Sequence, residues 1–287
     1  MFNQSDVRLF ITKCYQDYLN RNPDPTGMEF YLKSIFDREI TLEQLPDIFV
    51  KSPEYQQIQQ KKEEWDINFF EKKIHSQNGE DGILEFIFDF IGTTNKFFVE
   101  IGVEESLECN TRWLQEKGWD GIMIDGSANS SLIKKEFVTA ENINDILKKY
   151  SVPNSFDLLS LDVDYNTYWI WKAVNNFHPR VIAIEYNATI PVNESLAVKY
   201  DPLGKWDGTN YFGASLLALK KLGDKKGYTL VGCDNMGVNA FFIKNEFVED
   251  KMEKRSMSDL YKLPKFGKII NGEYIGHGPS EKIMEKV

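Results

Sequence analysis

The stretch Phe97-Phe98-Val99-Glu100-Ile101-Gly102-Val103-Glu104-Glu105-Ser106 decides the reading of this chain. Aromatic and β-branched residues run up to a glycine, the pattern of a buried strand that ends in a turn. A pyrophosphate-binding turn would carry three glycines, spaced so that the backbone can approach the phosphates. Only Gly102 stands here, which disfavours a nicotinamide-dependent oxidoreductase.

Outward from this stretch, further short β-rich runs alternate with helical ones. The strand candidates are Lys96–Ile101, Gly121–Ile124, Glu136–Thr139, Phe156–Leu161, Val181–Glu185, Tyr228–Gly232 and Ala240–Lys244. Such alternation predicts an α/β domain with one Rossmann-like, seven-stranded, mostly parallel sheet covered on both faces. Cys233-Asp234-Asn235-Met236-Gly237-Val238-Asn239 is too short for a crossover helix, so the last two strands are expected to form a hairpin, with the last strand antiparallel.

Residues 1–62 have a different character. Val7, Phe10, Ile11, Cys14, Tyr15, Tyr18 and Leu19 recur at helical spacing, and Pro23 and Pro25 must end that helix. Gly27 opens a second helix and Thr41 caps another, so a small all-α domain is expected at 1–62, with the polar stretch 56–68 as a solvated helix end or linker and the α/β domain over 66–287. Asn22-x-Asp24-x-Thr26-Gly27 imitates a calcium loop, but its twelfth position is Lys33 where a bidentate Glu is needed, so calcium is rejected.

The 287 residues carry 34 Lys+Arg against 44 Asp+Glu, a net charge of −10 that argues against nucleic acid as a partner. No apolar run approaches the length of a membrane span, and the N-terminus has no secretory pattern. Three widely spaced cysteines, Cys14, Cys109 and Cys233, read as reduced thiols, and the expected location is the cytoplasm.

In open α/β sheets, ligands bind beyond the carboxyl ends of the strands. Glu100, two positions before Gly102, suits a cofactor with a cationic amino-acid portion and no phosphate, namely S-adenosylmethionine. Asp125-Gly126, about 23 positions on, ends the second strand where a carboxylate accepts from both ribose hydroxyls. Glu141 and Asn142 follow the third strand, where an adenine contact would lie, although Asn142 equally suits a helix cap. Asp162 and Asp164 end the fourth strand, and Glu185 and Asn187 the fifth. Oxygen ligands without thiols suit Mg²⁺ or Mn²⁺, so Asp162, Glu185 and Asn187 are the expected metal ligands. Asp164 is a further ligand or the general base, and His178 is a second candidate base. Asp162 has a competing role on the cofactor amine, and Asp164 one as a helix cap. The aromatic loop Ala188–Gly208 reads as a binding wall, with Trp206 facing substrate.

Residues from about 66 to 250 resemble the class I S-adenosylmethionine-dependent methyltransferases, near the FkbM-type sugar methyltransferases and more distantly the metal-dependent macrolide-sugar O-methyltransferases. The resemblance rests on Ser76-Gln77-Asn78-Gly79-Glu80-Asp81-Gly82, Phe98–Gly102, Glu108-Cys109-Asn110-Thr111-Arg112, Ile124-Asp125-Gly126, Leu161–Asp164, Ile184–Asn187 and Trp206-Asp207-Gly208-Thr209. An antiparallel seventh strand is a hallmark of that family, and the resemblance alone places Gln77 and Asn110 near the cofactor. Residues 104–106 depart from the family's glycine-richer loop.

The N-terminal segment resembles a small helical domain of unknown function found in bacterial proteins, often beside glycosyltransferase or surface-polysaccharide domains. It matches in Tyr15, Tyr18-Leu19-x-Arg21-x-Pro23-Asp24-x-x-Gly27, Tyr31-Leu32 and Ser52-Pro53-Glu54-Tyr55. Together these resemblances imply O-methylation of a saccharide or glycan hydroxyl. They also imply a homo-oligomer or a glycan-assembly partner held through the N-terminal helices. The competing reading is a catalytically silent scaffold in a glycan-assembly complex, against which the set Glu100, Gly102, Asp125, Asp162 and Glu185 argues.

Overall fold

A computed structural model of the chain describes residues 4–19, 21–63, 65–104, 108–248, 252 and 255–287. The chain divides into two compact units, Met1–Trp65 and Asp66–Val287. Glu105 and Ser106, part of the turn after the first strand, lie outside the described residues.

The first unit holds α1 (Gln4–Leu19), α2 (Pro25–Phe36), α3 (Leu45–Val50) and α4 (Pro53–Glu63). Val7, Ile11, Cys14, Tyr15 and Leu19 form the buried stripe of α1, as the spacing predicts. The calcium-like stretch is a helix start. Asp24 accepts from the Gly27 amide at 2.8 Å, and Pro25 occupies the first helical turn, where a missing N–H costs nothing. A Cβ on Gly27 would meet the Tyr15 hydroxyl at 2.1 Å, so this glycine makes room for a tyrosine. Arg21 locks the corner, donating to both Glu54 oxygens at 2.7 and 3.0 Å while stacking over the Tyr15 ring.

The second unit runs α5 (Glu80–Ile91), β1 (Phe97–Ile101), α6 (Arg112–Glu116), β2 (Asp120–Asp125), β3 (Ile133–Lys135), α7 (Ile143–Lys149) and β4 (Ser155–Leu161). It continues with α8 (Thr167–Ala173), β5 (His178–Glu185), β6 (Leu196–Ala197), α9 (Leu216–Lys226), β7 (Tyr228–Cys233) and β8 (Asn239–Lys244). After α10 (Met257–Leu260) come the two-residue strands β9 (Ile269–Ile270), β10 (Glu273–Tyr274) and β11 (Glu285–Lys286). Seven strands form one sheet in the order β3-β2-β1-β4-β5-β8-β7. The pairs β2–β3, β1–β2, β1–β4 and β4–β5 are parallel, while β8 runs antiparallel to both β5 and β7. The α/β class and the reversed last strand of the sheet are thus as expected. Phe98, Val99, Leu158, Leu159, Val181, Ile182, Phe241 and Phe242 are all buried, which is why these strands read as unbroken apolar runs.

The third strand lies earlier than its expected place at Glu136–Thr139. Ile133–Lys135 pairs with Met123–Asp125, and beyond it the Thr139 amide donates to the Asn142 side chain at 2.7 Å instead of to a neighbouring strand. β5 also begins three residues before the expected Val181, since His178 and Pro179 pair with Ser155 and Phe156.

Register positions the site. Ile101 pairs with both Ile124 and Leu161, and Leu161 with Ile184, so four parallel strands end level with one another. The residues that follow, Gly102, Asp125, Asp162 and Glu185, therefore emerge side by side. β1 sits where the chain reverses its direction of travel across the sheet, with β2 on one side and β4 on the other, and a crevice opens at such a point.

Candidate active site

A cleft of about 1150 Å³ opens at these strand ends. Of the residues singled out from sequence, Gln77, Gly102, Asp125, Gly126, Asp162, Asp164, Glu185 and Trp206 line it. Glu100, Asn110, Glu141, Asn142, His178 and Asn187 are not among its lining residues.

Three carboxylates form the centre. One oxygen from each of Asp162, Asp164 and Glu185 lies within 4.8 Å of the others. Burial, reinforced by Asp164, pushes the Asp162 carboxyl up to about 7. Burial and the Asp162 charge push Glu185 well above the carboxylate range, and burial raises Asp164 as well. Like charges this close cannot all ionise unless a cation joins them. The Glu185 carboxyl hydrogen-bonds with that of Asp162, and among the described residues no other group donates to its buried Oε2.

Local strain holds Asp164 in place. Its φ is +59°, and the Tyr165 amide donates to the Val163 carbonyl at 2.5 Å, which closes a three-residue γ-turn around a left-handed aspartate. The Gly213 amide, donating to the Asp164 carbonyl at 3.1 Å, braces the turn.

Gly102 permits a close approach of chain to chain. Its amide donates to the Ile124 carbonyl, the Asp162 amide donates to the Ile101 carbonyl, and the Asp162 carbonyl rests against the Gly102 α-carbon. Asp125 organises the mouth of the cleft, accepting from the Glu104 amide at 2.9 Å and from the Ser127 amide and hydroxyl at 2.6 and 2.7 Å. Both Ser127 bonds go to Oδ1, so Oδ2 is the oxygen that keeps room for another donor.

Other expected site residues are spent on structure. Glu100 is buried and accepts from the amides of Asn110 and Thr111 and the hydroxyls of Thr111 and Ser160, so both oxygens are occupied. It fixes the Asn110–Thr111 segment, while the Asn110 side chain donates to Ser160 at 3.1 Å. Asn142 bonds backward to Thr139 and Phe137, and Glu141 accepts from the Tyr200 hydroxyl. Asn187 donates to the Asn210 and Phe212 carbonyls and accepts from Thr189, which exhausts its amide group. His178 opens β5 and Glu185 closes it, so at the usual rise per residue about 20 Å separates them.

Sequence reasoning missed the second wall of the cleft. His277 and Phe266, from the C-terminal segment, line it with Phe212 and Trp206. The His277 ring meets Trp206 at 4.5 Å, Phe266 at 5.3 Å and Phe212 at 5.8 Å, and burial lowers its pKa. Its backbone amide donates to Asn210 Oδ1 at 2.7 Å, and Lys282 pairs with Asp207 at 2.8 Å, tying the tail to the loop that carries Trp206. The available signal was Gly276-His277-Gly278. A Cβ on Gly276 would strike Thr189 at 2.4 Å, so the flanking glycine marks close packing.

Seven carboxylates and one lysine, Lys205, are among the described lining residues, and only Glu108 and Glu136 of the seven pair with lysines from outside the lining, Lys73 and Lys149. Such a field attracts a cationic ligand or a metal ion and repels a pyrophosphate. No protein-family model matches the chain, and a search of curated proteins finds no match.

Proposed function

We propose that this chain is an S-adenosylmethionine-dependent O-methyltransferase of the class I, Rossmann-like kind, using a divalent cation and acting on a saccharide or glycan hydroxyl. One observation carries the reading. Level strand ends bring a ribose-type acid, Asp125, and an oxygen triad, Asp162, Asp164 and Glu185, into a single acidic cleft. Strand order and the reversed β8 agree with the resemblance noted in the sequence.

The triad fits Mg²⁺ or Mn²⁺. Its donors are hard oxygens with no thiol, and a cation would take the place of the proton between the Asp162 and Glu185 carboxyls. Asp164 takes the ligand place for which Asn187 has no free atom. A bound divalent cation lowers the pKa of a coordinated hydroxyl and orients it.

The remaining work falls to side chains. Asp125 accepts from a ribose hydroxyl through Oδ2, and Gln77 and Gly126 line the same cleft. Trp206 offers an aromatic face to a sugar, its indole held by a bond to the Thr209 carbonyl at 2.7 Å. The hydroxyl proton passes to His277, whose desolvated ring stays neutral and able to accept it, Asp164 being engaged as a ligand. Methyl transfer then depends on alignment within a cleft shielded by the tail.

Transfer of labelled methyl groups from S-adenosylmethionine to a panel of oligosaccharides tests the function. Asp162→Ala and Glu185→Ala are expected to abolish transfer while the far-ultraviolet circular dichroism stays native. Full transfer by either variant would remove the metal from the account.

A further inference from the structure

We propose that Asn166 supplies a fourth oxygen, its side-chain carbonyl, to the cation held by Asp162, Asp164 and Glu185. The inference rests on the metal reading given above. Asn166 stands at the N-cap position of α8, where an asparagine normally turns Oδ1 onto the helix's own amides. Here it makes no such bond. Its Nδ2 donates instead to the Asp201 carbonyl at 2.7 Å, which fixes which end of the amide points where. The residue is 4% exposed, and Oδ1 is buried without any partner.

Asn166 lines the same cleft as the triad. The cleft that the Asp162–Glu185 carboxyl pair lines thus also carries a buried acceptor that no donor of the protein satisfies, Asn166 Oδ1. Buried polar atoms are nearly always paired, and an orphaned acceptor facing a carboxyl cluster calls for a cation or a donor from outside the chain. A neutral amide oxygen suits a site that already holds three carboxylates, because it adds a hard ligand without adding repulsion. The γ-turn at Asp164 contributes geometrically, since the tightened chain presents residues 162, 164 and 166 to one cavity.

The alternative role is a loop tether through Nδ2, and the two roles separate cleanly. Mn²⁺ binding is measured by electron paramagnetic resonance titration of the full chain in three forms: wild type, Asn166→Ala and Asn166→Asp. Both variants lose the bond to Asp201, but only Asn166→Asp keeps an oxygen. The expected result is one Mn²⁺ per wild-type chain, binding weakened about tenfold or more in Asn166→Ala, and binding restored or tightened in Asn166→Asp. Unchanged affinity in Asn166→Ala, or an Asn166→Asp variant as weak as Asn166→Ala, overturns the assignment while leaving the triad standing. No Mn²⁺ on the wild type sinks the metal reading itself, and Asn166 with it.

Discussion

The main chain of Asp162 passes directly against the α-carbon of Gly102, so closely that a Cβ there would lie 1.4 Å from the Asp162 carbonyl oxygen. The glycine also has φ +87°, a conformation that other residues adopt with strain. Gly102→Ala should therefore push β1 away from β4 and displace Asp162. The expected cost is on the order of 3 kcal/mol or more, read by chemical denaturation, with loss of cation binding in whatever remains folded. A stable variant with normal binding would show that the strand ends are not coupled.

The acid triad makes stability depend on pH in a definite direction. Folding raises the Asp162 pKa to about 7, chiefly by burial, so the native state holds a proton that the unfolded chain releases near the ordinary carboxyl range. That contribution is fully present below the unfolded value and is lost as pH rises through the folded one. Asp234, buried in the β7–β8 turn and likewise raised to about 7, adds in the same sense. The metal-free protein is expected to melt at a lower temperature at pH 8 than at pH 5. Mg²⁺ should recover more of the loss at pH 8, where the ligands are ionised, and Asp162→Asn should flatten the slope. Scanning fluorimetry across that range checks both, and a melting temperature that climbs steadily with pH would contradict the assignment.

At the other end of the sheet a buried pair has a purely structural part. Arg180 donates to Asp157 at 2.7 Å and to the Ile91 and Gly92 carbonyls, while Asp157 also accepts from Thr94 and Lys96. Arg180→Ala strands a carboxylate at 0% exposure and should cost about 3–5 kcal/mol. Mn²⁺ affinity at a temperature where the variant is folded should be unchanged, which separates this network from the cleft.

The two histidines of interest should behave oppositely. His178→Ala lies about 20 Å along β5 from Glu185 and should leave methyl transfer within twofold of wild type. His277→Ala removes a ring seated among Trp206, Phe266 and Phe212 in the cleft and should lower transfer by about tenfold or more. Initial rates on the same saccharide decide it.

What could be read from sequence follows from how each feature is written. β1, β4, β5 and β8 are buried on both faces and therefore appear as apolar runs, and the link between β7 and β8, five residues from Asp234 to Val238, forces the hairpin. β3 is a three-residue edge strand, too short to outweigh the more strand-like Phe137-Val138-Thr139 beside it. Acids at strand ends stood out, but whether an oxygen is free depends on partners distant in the chain. Glu100 is saturated by Asn110, Thr111 and Ser160, and Asn187 by Asn210, Phe212 and Thr189. The aromatic wall from Phe266 and His277 has no periodicity, because it is built by loop contacts across the cleft and not by a helix or strand.

Calorimetric titration of the wild-type chain with S-adenosylmethionine, with and without Mg²⁺, reaches the central claim most directly. The account predicts one molecule bound per chain and about a tenfold or greater loss of affinity in Asp125→Ala, whose carboxylate stands at the end of β2 in the cleft. Absence of binding under both conditions would contradict it and leave the acidic cleft without the cofactor it is proposed to hold.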